Sequence, residues 1–291
     1  MPEPLDDLEL ELSAAGRRDR AAGLLLGAAL ADSWSTSTEI ALCVADAAAT
    51  GRPLTDREVV GLVSRNLTLL CQERGPVDTT KTTDALLAAT AVVALAHVYD
   101  GPEQRARATT AIVAEIDAGA NADRLVLWVD LVAETLRSGA VPNVLPLSTD
   151  ASAVVAVVRA AERVSVFAGD QLATGLATIS MLPAASGALL GARFGQHAFS
   201  RANVSALSGW PGAGAAELAG LGLLALRGAG RMIPDVESEI KGSPVPIERW
   251  GETDHGAAHR PRTPIAEQST TTSWRQSHIT LTPADAEVSN A

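Results

Sequence analysis

The 291-residue chain predicts an all-α fold, and three observations carry that expectation. Aromatic residues make up only 3% of a chain that is 47% hydrophobic, so the core must be built from Ala, Leu and Val. Side chains this small suit closely packed helices, whereas sheets favour β-branched and aromatic residues. Apolar residues recur with the helical period in one segment after another, and no stretch sustains the alternation of a strand.

The elements follow in order. Gly23-Leu-Leu-Leu-Gly27 lies in a first helix, after the basic cluster Arg17–Arg20. Trp34-Ser35-Thr36-Ser37-Thr38 leads into a second helix through Glu39, Ile40, Ala41 and Leu42. Residues 55–71 open with Thr55-Asp-Arg-Glu58, which reads as a capping box, and place Val59, Val63, Leu67 and Leu70 on one face. Pro102 fits the first turn of a helix running to about Asp117. Asn121 can cap the next, where Leu125, Trp128, Val129, Val132 and Leu136 form a stripe before Gly139 ends it. Residues 151–168 repeat the pattern, with Val154, Val157, Val158, Ala161, Val164 and Ser165 on one side and Arg159, Glu162 and Arg163 on the other.

Residues 171–192 hold no charge and are long enough to span a bilayer. Gln171, Thr174, Thr178, Ser180, Pro183 and Ser186 dilute that segment, so a buried central helix is the expectation. Its end carries Gly187-Ala-Leu-Leu-Gly191, continuing to Gly195. Glycines four apart leave a smooth stripe where another helix can approach, at roughly 1 kcal/mol of helix propensity each. Helix packing is the first reading of both glycine elements.

Charge and composition divide the chain. Its 34 acidic and 23 basic residues leave a net charge of −11, which argues against a nucleic-acid binder that tracks phosphates with a basic stripe. Residues 1–12 hold five acids and no base, and lack the apolar run of a signal peptide. From Pro234 onward come six prolines, the Ser269–Ser273 hydroxyl tract and no apolar periodicity. Such a stretch cannot bury enough surface to offset its ordering entropy. The expected organisation is an acidic N-terminal extension (1–16), one all-α domain (17–233) and a disordered tail (234–291). Cys43 and Cys71 form no CxxC pair, no four-cysteine zinc site and no secreted disulfide framework. A soluble cytoplasmic protein, with neither membrane nor nucleic acid as partner, is expected.

The order of the glycine elements resembles the ADP-ribosylglycohydrolase family, which includes the dinitrogenase-reductase-activating glycohydrolases. Such proteins begin with an Arg-x-x-Gly-Ala-Leu-Leu-Gly helix followed by Gly-Asp; this chain has Arg20-Ala-Ala-Gly23-Leu-Leu-Leu-Gly27, then Ala31-Asp32. The family's Trp-Thr-Asp-Asp-Thr element corresponds to Trp34-Ser35-Thr36-Ser37-Thr38, and its late Gly-Ala-Leu-Leu-Gly-Ala-x-Tyr-Gly to Gly187-Ala-Leu-Leu-Gly191-Ala-Arg-Phe-Gly195. A helix start that the family writes Gly-Asn-Gly-Ala-Ala-Met reads Thr82-Thr83-Asp84-Ala85-Leu86-Leu87 here, and its Thr-His motif falls at Ile116-Asp117, without a histidine. The resemblance spans about residues 17–227 and is most specific at its two ends.

The resemblance implies two divalent ions, Mg²⁺ or Mn²⁺, held in active relatives by the Thr-Asp-Asp and Asp-x-Asp-Thr elements to orient the ADP-ribose diol while water cleaves the N-glycosidic bond. Hard cations of this kind need carboxylates, and hydroxyls replace them poorly. Here the first set of slots holds Ser35, Thr36 and Ser37. Counting back from Gly187 without a gap, the second set is Ala177, Thr178, Ile179, Ser180 and Met181. A gapped register anchored on Gly169-Asp170 retains one acid only. The expectation is therefore a pseudoenzyme with no bound cofactor, acting through a protein partner or a weakly bound ADP-ribose-like ligand. Trp34, Ser35, Thr36, Ser37, Thr178 and Ser180 would form the vestigial cleft. A rearranged hydrolase around Asp32 and Asp170 is the first alternative, and a purely structural or assembly role the second.

Bland readings stand beside these. Asp32 suits a helix-end cap, Asp170 an N-cap, and Glu39 the favourable dipole of a first turn. His97 and His197 lack metal-ligand spacing and read as structural, while Gly256 and Pro261 argue against a helix that would join His255 to His259. There is no GxSxG motif, P-loop or dinucleotide fingerprint.

Overall fold

A helix that is apolar on every side belongs inside a protein, and the segment Thr82–Ala96 meets that description: every residue from Asp84 to Ala96 is buried. It is the fourth of ten α-helices among the described residues of the computed structural model, which are 5–75, 82–142, 152–163 and 181–227. They are α1 (Leu5–Ala31), α2 (Thr36–Ala48), α3 (Arg57–Arg74), α4 (Thr82–Ala96), α5 (Pro102–Ile116), α6 (Ala122–Ser138), α7 (Ser152–Arg163), α8 (Pro183–Phe194), α9 (Arg201–Ser205) and α10 (Ala215–Leu226). A 3-10 turn, Gln196–Ala198, follows α8. The two-residue strands β1 (Ser208–Gly209) and β2 (Ala213–Gly214) pair antiparallel, too short to register as alternation in sequence.

Helix α4 packs against α2, α5, α6, α8 and α10. The fully buried Trp128 of α6 fixes one of these contacts by donating its indole N–H to the Leu87 carbonyl oxygen of α4 at 2.8 Å. Around this centre α1 lies between α8 and α10. The two glycine elements meet each other there, in antiparallel order: Gly23 lies against Gly191, and Gly27 against Gly187. A Cβ at Gly23 would stand 2.6 Å from the carbonyl carbon of Gly195 and 2.8 Å from the carbonyl oxygen of Gly191, and one at Gly27 would overlap the Gly187 carbonyl oxygen. On the far side of α1, a Cβ at Gly222 of α10 would run into the Ala21 carbonyl. Helix packing is thus the observed role of both glycine elements. Arg20 ties α1 to a third neighbour, donating from its guanidinium to the Leu136 and Arg137 carbonyl oxygens at the end of α6 (2.8 and 3.1 Å).

Several helix ends fall where the sequence places them. Pro102 opens α5, which ends at Ile116. Asn121 accepts from the Asp123 N–H at 3.0 Å, the predicted α6 stripe is buried, and Gly139 closes the helix in the left-handed region at φ 73°. Val154, Val157 and Val158 of α7 are buried and Arg159 is exposed; the remaining predicted positions of that stripe lie outside the described side chains.

Two expectations are corrected. Helix α3 starts at Arg57, and its cap is Asp56, whose carboxylate accepts from the Glu58 N–H at 2.9 Å; Thr55 lies outside it. The capping box fails because Arg52 bridges Asp56 and Glu58 (2.6 and 2.5 Å), drawing the Glu58 carboxylate away from the helix start. Of the uncharged segment 171–192, residues 171–180 lie outside the described residues, and the rest is not helical throughout. α8 begins at Pro183, with Met181 exposed and Leu182 at φ −130° and ψ 66°. Proline disfavours helical geometry in the residue before it, so it starts α8 cleanly. From Ala184 to Ala192 the helix is buried, as expected of a central element.

The acidic N-terminal segment is helical from Leu5 onward and continuous with α1. The predicted tail, 234–291, lies outside the described residues. No helix among those described is long and apolar enough to cross a membrane.

Candidate functional site

The glycine seam decides what meets at the site. With Gly27 against Gly187, the Ala31 side chain lies against the Gly187 backbone, so the carboxyl end of α1 sits beside the amino end of α8. The chain leaves α1 through Asp32, and Ser33 and Trp34 both take left-handed backbone angles (φ 55°) before α2 begins. Two consecutive non-glycine residues in that region cost about 1–2 kcal/mol each. The turn is held by its own side chains. The Asp32 carboxylate accepts four hydrogen bonds: from the Ser35 N–H (3.1 Å) and Oγ (2.7 Å), and from the Thr38 N–H (3.2 Å) and Oγ1 (2.7 Å). The Trp34 N–H donates to the Ala29 carbonyl oxygen at 2.8 Å, and its indole is covered by Gly209, where any Cβ would strike the ring.

Burial pushes the Asp32 carboxyl up to about 6, although the hydrogen bonds from Ser35 and Thr38 pull the other way; the charge of Asp84 adds to the rise. Asp84 stands in the first turn of α4, 4% exposed. Its carboxylate accepts from the N–H groups of Ala185 (2.9 Å) and Ala184 (3.2 Å), the first two that α8 offers, because Pro183 has none. Two acids from different helices therefore cap α2 and α8 next to one another, Asp32 in the role of a helix-end cap.

The other sequence candidates divide by position. Ser35 is the N-cap of α2 and Thr36 its first, half-buried residue. Ser37 is buried, and its Oγ meets no hydrogen-bond partner among the described residues; the same holds for the Trp34 indole nitrogen. Glu39 does more than complement a helix dipole. Its buried carboxylate is held by the Arg74 guanidinium (2.7 and 3.1 Å), and burial raises its pKa while Arg74 lowers it. His197 is exposed and pairs with Asp19 at 2.5 Å. Asp170, Thr178 and Ser180 lie outside the described residues.

Comparison with known proteins identifies no relative: no family model, curated protein or solved structure matches this chain.

The geometry also bears on the two divalent ions that the resemblance implies. Both Asp32 oxygens are engaged by Ser35 and Thr38, and both Asp84 oxygens by the start of α8. Among the described residues no group of three His, Cys, Asp or Glu side chains could hold a metal ion. The described residues therefore do not by themselves fit a dimetal centre, and Asp170 and the second set of ligand positions lie outside them.

Thr38 and Asp84 are the members that reading the sequence for ligands overlooks. Asp84 had a signal, since it is the only charge in the run Thr82–Ala96. A lone acid inside an otherwise apolar helix is buried and must find donors. Thr38 had none beyond its six-residue distance from Asp32.

Proposed function

We propose that the chain is a catalytically inactive, ADP-ribosylglycohydrolase-like protein that acts by binding, with a weak ADP-ribose-like ligand or a protein partner at the cleft beside Asp32, Trp34 and Ser35–Ser37. One observation carries this reading. The antiparallel glycine seam brings the 32–38 segment to the start of α8, where the resemblance requires its two ligand-bearing elements to converge, while the acids found there spend their oxygens on capping. Two dications brought together without free carboxylates would repel one another uncompensated, and Mg²⁺ sheds its water reluctantly. The buried Ser37 hydroxyl and the Trp34 indole N–H remain as neutral groups suited to a sugar or ribose hydroxyl.

The test is calorimetry with Mg²⁺ and Mn²⁺ at millimolar concentration, paired with an assay for release of ADP-ribose from modified arginine. The expected outcome is no metal binding and no release. Metal-stimulated release that is lost in Asp32→Ala would overturn the reading and restore a rearranged hydrolase.

A further inference from the structure

At the opposite ends of α2 and α4 from the Asp32–Asp84 pair lies a second polar site. The 15 residues of α4 separate the two by roughly 20 Å at 1.5 Å per residue. A pocket of about 230 Å³ opens there between the loop before α3 and the start of α5, lined by Pro53, Thr55, His97, Asp100, Gln104 and Arg107. His97 is 4% exposed, and its Nδ1 is 2.7 Å from Asp100 Oδ2. That contact orients the ring. Nε2 is buried and meets no hydrogen-bond partner among the described residues. A buried polar atom left without a partner costs about 1–3 kcal/mol, so its retention beside a cavity calls for an explanation.

The surroundings hold the ring in place. Arg105, 4% exposed, donates from Nε to Asp130 at 2.6 Å and from Nη1 to the Asp100 carbonyl oxygen. It thereby fixes the turn that carries Asp100. The pocket's remaining polar groups are the Thr55 hydroxyl, the Gln104 amide and the Arg107 guanidinium, whose ion pair with Glu103 is long at 3.7 Å. With Nδ1 held on Asp100, Nε2 is the ring's remaining polar atom, and it can meet either an oxygen or a hydroxyl of a phosphate group. A guanidinium, an imidazole, a hydroxyl and an amide around a cavity smaller than a drug-sized pocket suit one compact oxyanion.

We infer that this pocket binds a phosphate group, either as inorganic phosphate or as a small phosphomonoester, through Arg107, His97, Gln104 and Thr55. The Asp100 carboxylate is turned to His97 Nδ1, and the Arg105 guanidinium holds its carbonyl oxygen. The inference is independent of the proposed function, and either can fail alone.

The test follows the His97 imidazole nitrogens by NMR in the full chain with its other four histidines changed to Gln. It is titrated separately with inorganic phosphate, glycerol phosphate and, at matched ionic strength, chloride. A saturable shift with phosphate or glycerol phosphate but not chloride is expected, and the tighter of the two names the source. In Arg107→Ala, an exposed change that the fold tolerates, binding should weaken roughly tenfold, the loss of one charge-assisted contact. No saturable shift with either phosphate, a chloride response of equal size, or unchanged affinity in Arg107→Ala would each overturn the assignment.

Discussion

Asp32 is a carboxyl that folding makes harder to ionise, and this has a measurable sign. Its folded value of about 6 lies above the ordinary 3.8, so the folded chain holds this proton more tightly than the unfolded chain does. The resulting stabilisation is complete below pH 4. It is lost as pH rises through about 6, with a span of about 3 kcal/mol at 1.36 kcal/mol per pH unit. Asp32→Asn cannot titrate. Urea unfolding at pH 4 and pH 7 should therefore show the variant gaining up to about 3 kcal/mol on the parent between the two. An unchanged difference would mean that the four bonds from Ser35 and Thr38 fully offset burial. A related competition sets the cap of α3, where Asp56 wins over Thr55 because Arg52 gathers Asp56 and Glu58 together.

For the elements, the glycines separate into those that need the absence of a side chain and those that do not. Gly27 and Gly191 lie in the α1–α8 seam, where a Cβ would overlap a carbonyl of the other helix. The backbones would have to move apart, so Gly27→Ala or Gly191→Ala should cost about 2 kcal/mol or more. Gly61 is also helical, in α3, but nothing lies within 4 Å of its would-be Cβ. Gly61→Ala should stabilise the fold by about 0.5–1 kcal/mol through helix propensity and the unfolded chain's reduced freedom. Thermal or urea unfolding of the three variants checks both signs, and a destabilising Gly61→Ala would show that the α3 face is covered. The seam also carries the site: any separation of α1 from α8 moves Asp32 away from the start of α8 that Asp84 caps.

For the whole molecule, the consequence of burying α4 on every side is cooperativity. Among the described helices α4 touches α1, α2, α5, α6, α8 and α10, and the Trp128–Leu87 hydrogen bond joins it to the α6 stripe. Unfolding α4 therefore exposes part of the core of each helix that it touches. Fluorescence of the five tryptophans, among them the buried Trp34, Trp128 and Trp210, should therefore lose its native signal at the same urea concentration as far-UV circular dichroism, and the latter should be dominantly helical. Separated midpoints would identify a helix group with a core of its own.

What was legible in the sequence is what depends on neighbours along the chain. The α6 stripe, the Asn121 cap, the Gly139 stop and the Pro102 start each rest on residues within a few turns of one another, where periodicity and backbone chemistry act directly. The all-α class follows from the same signals together with the small-side-chain composition. The glycine pairs announced close helix approach but not their partner, because 160 residues separate Gly27 from Gly187 and nothing local encodes the match. Asp84 was visible as an isolated acid, yet its task depends on α8 arriving with Pro183 at its start and two N–H groups in need of an acceptor. Likewise the His97 pocket joins a loop before α3 to the start of α5. Sequence by itself determined the all-α class and the ends and buried face of a helix such as α6; only tertiary structure decided which polar groups meet, because a buried donor or acceptor is satisfied by whatever long-range packing brings within about 3 Å of it.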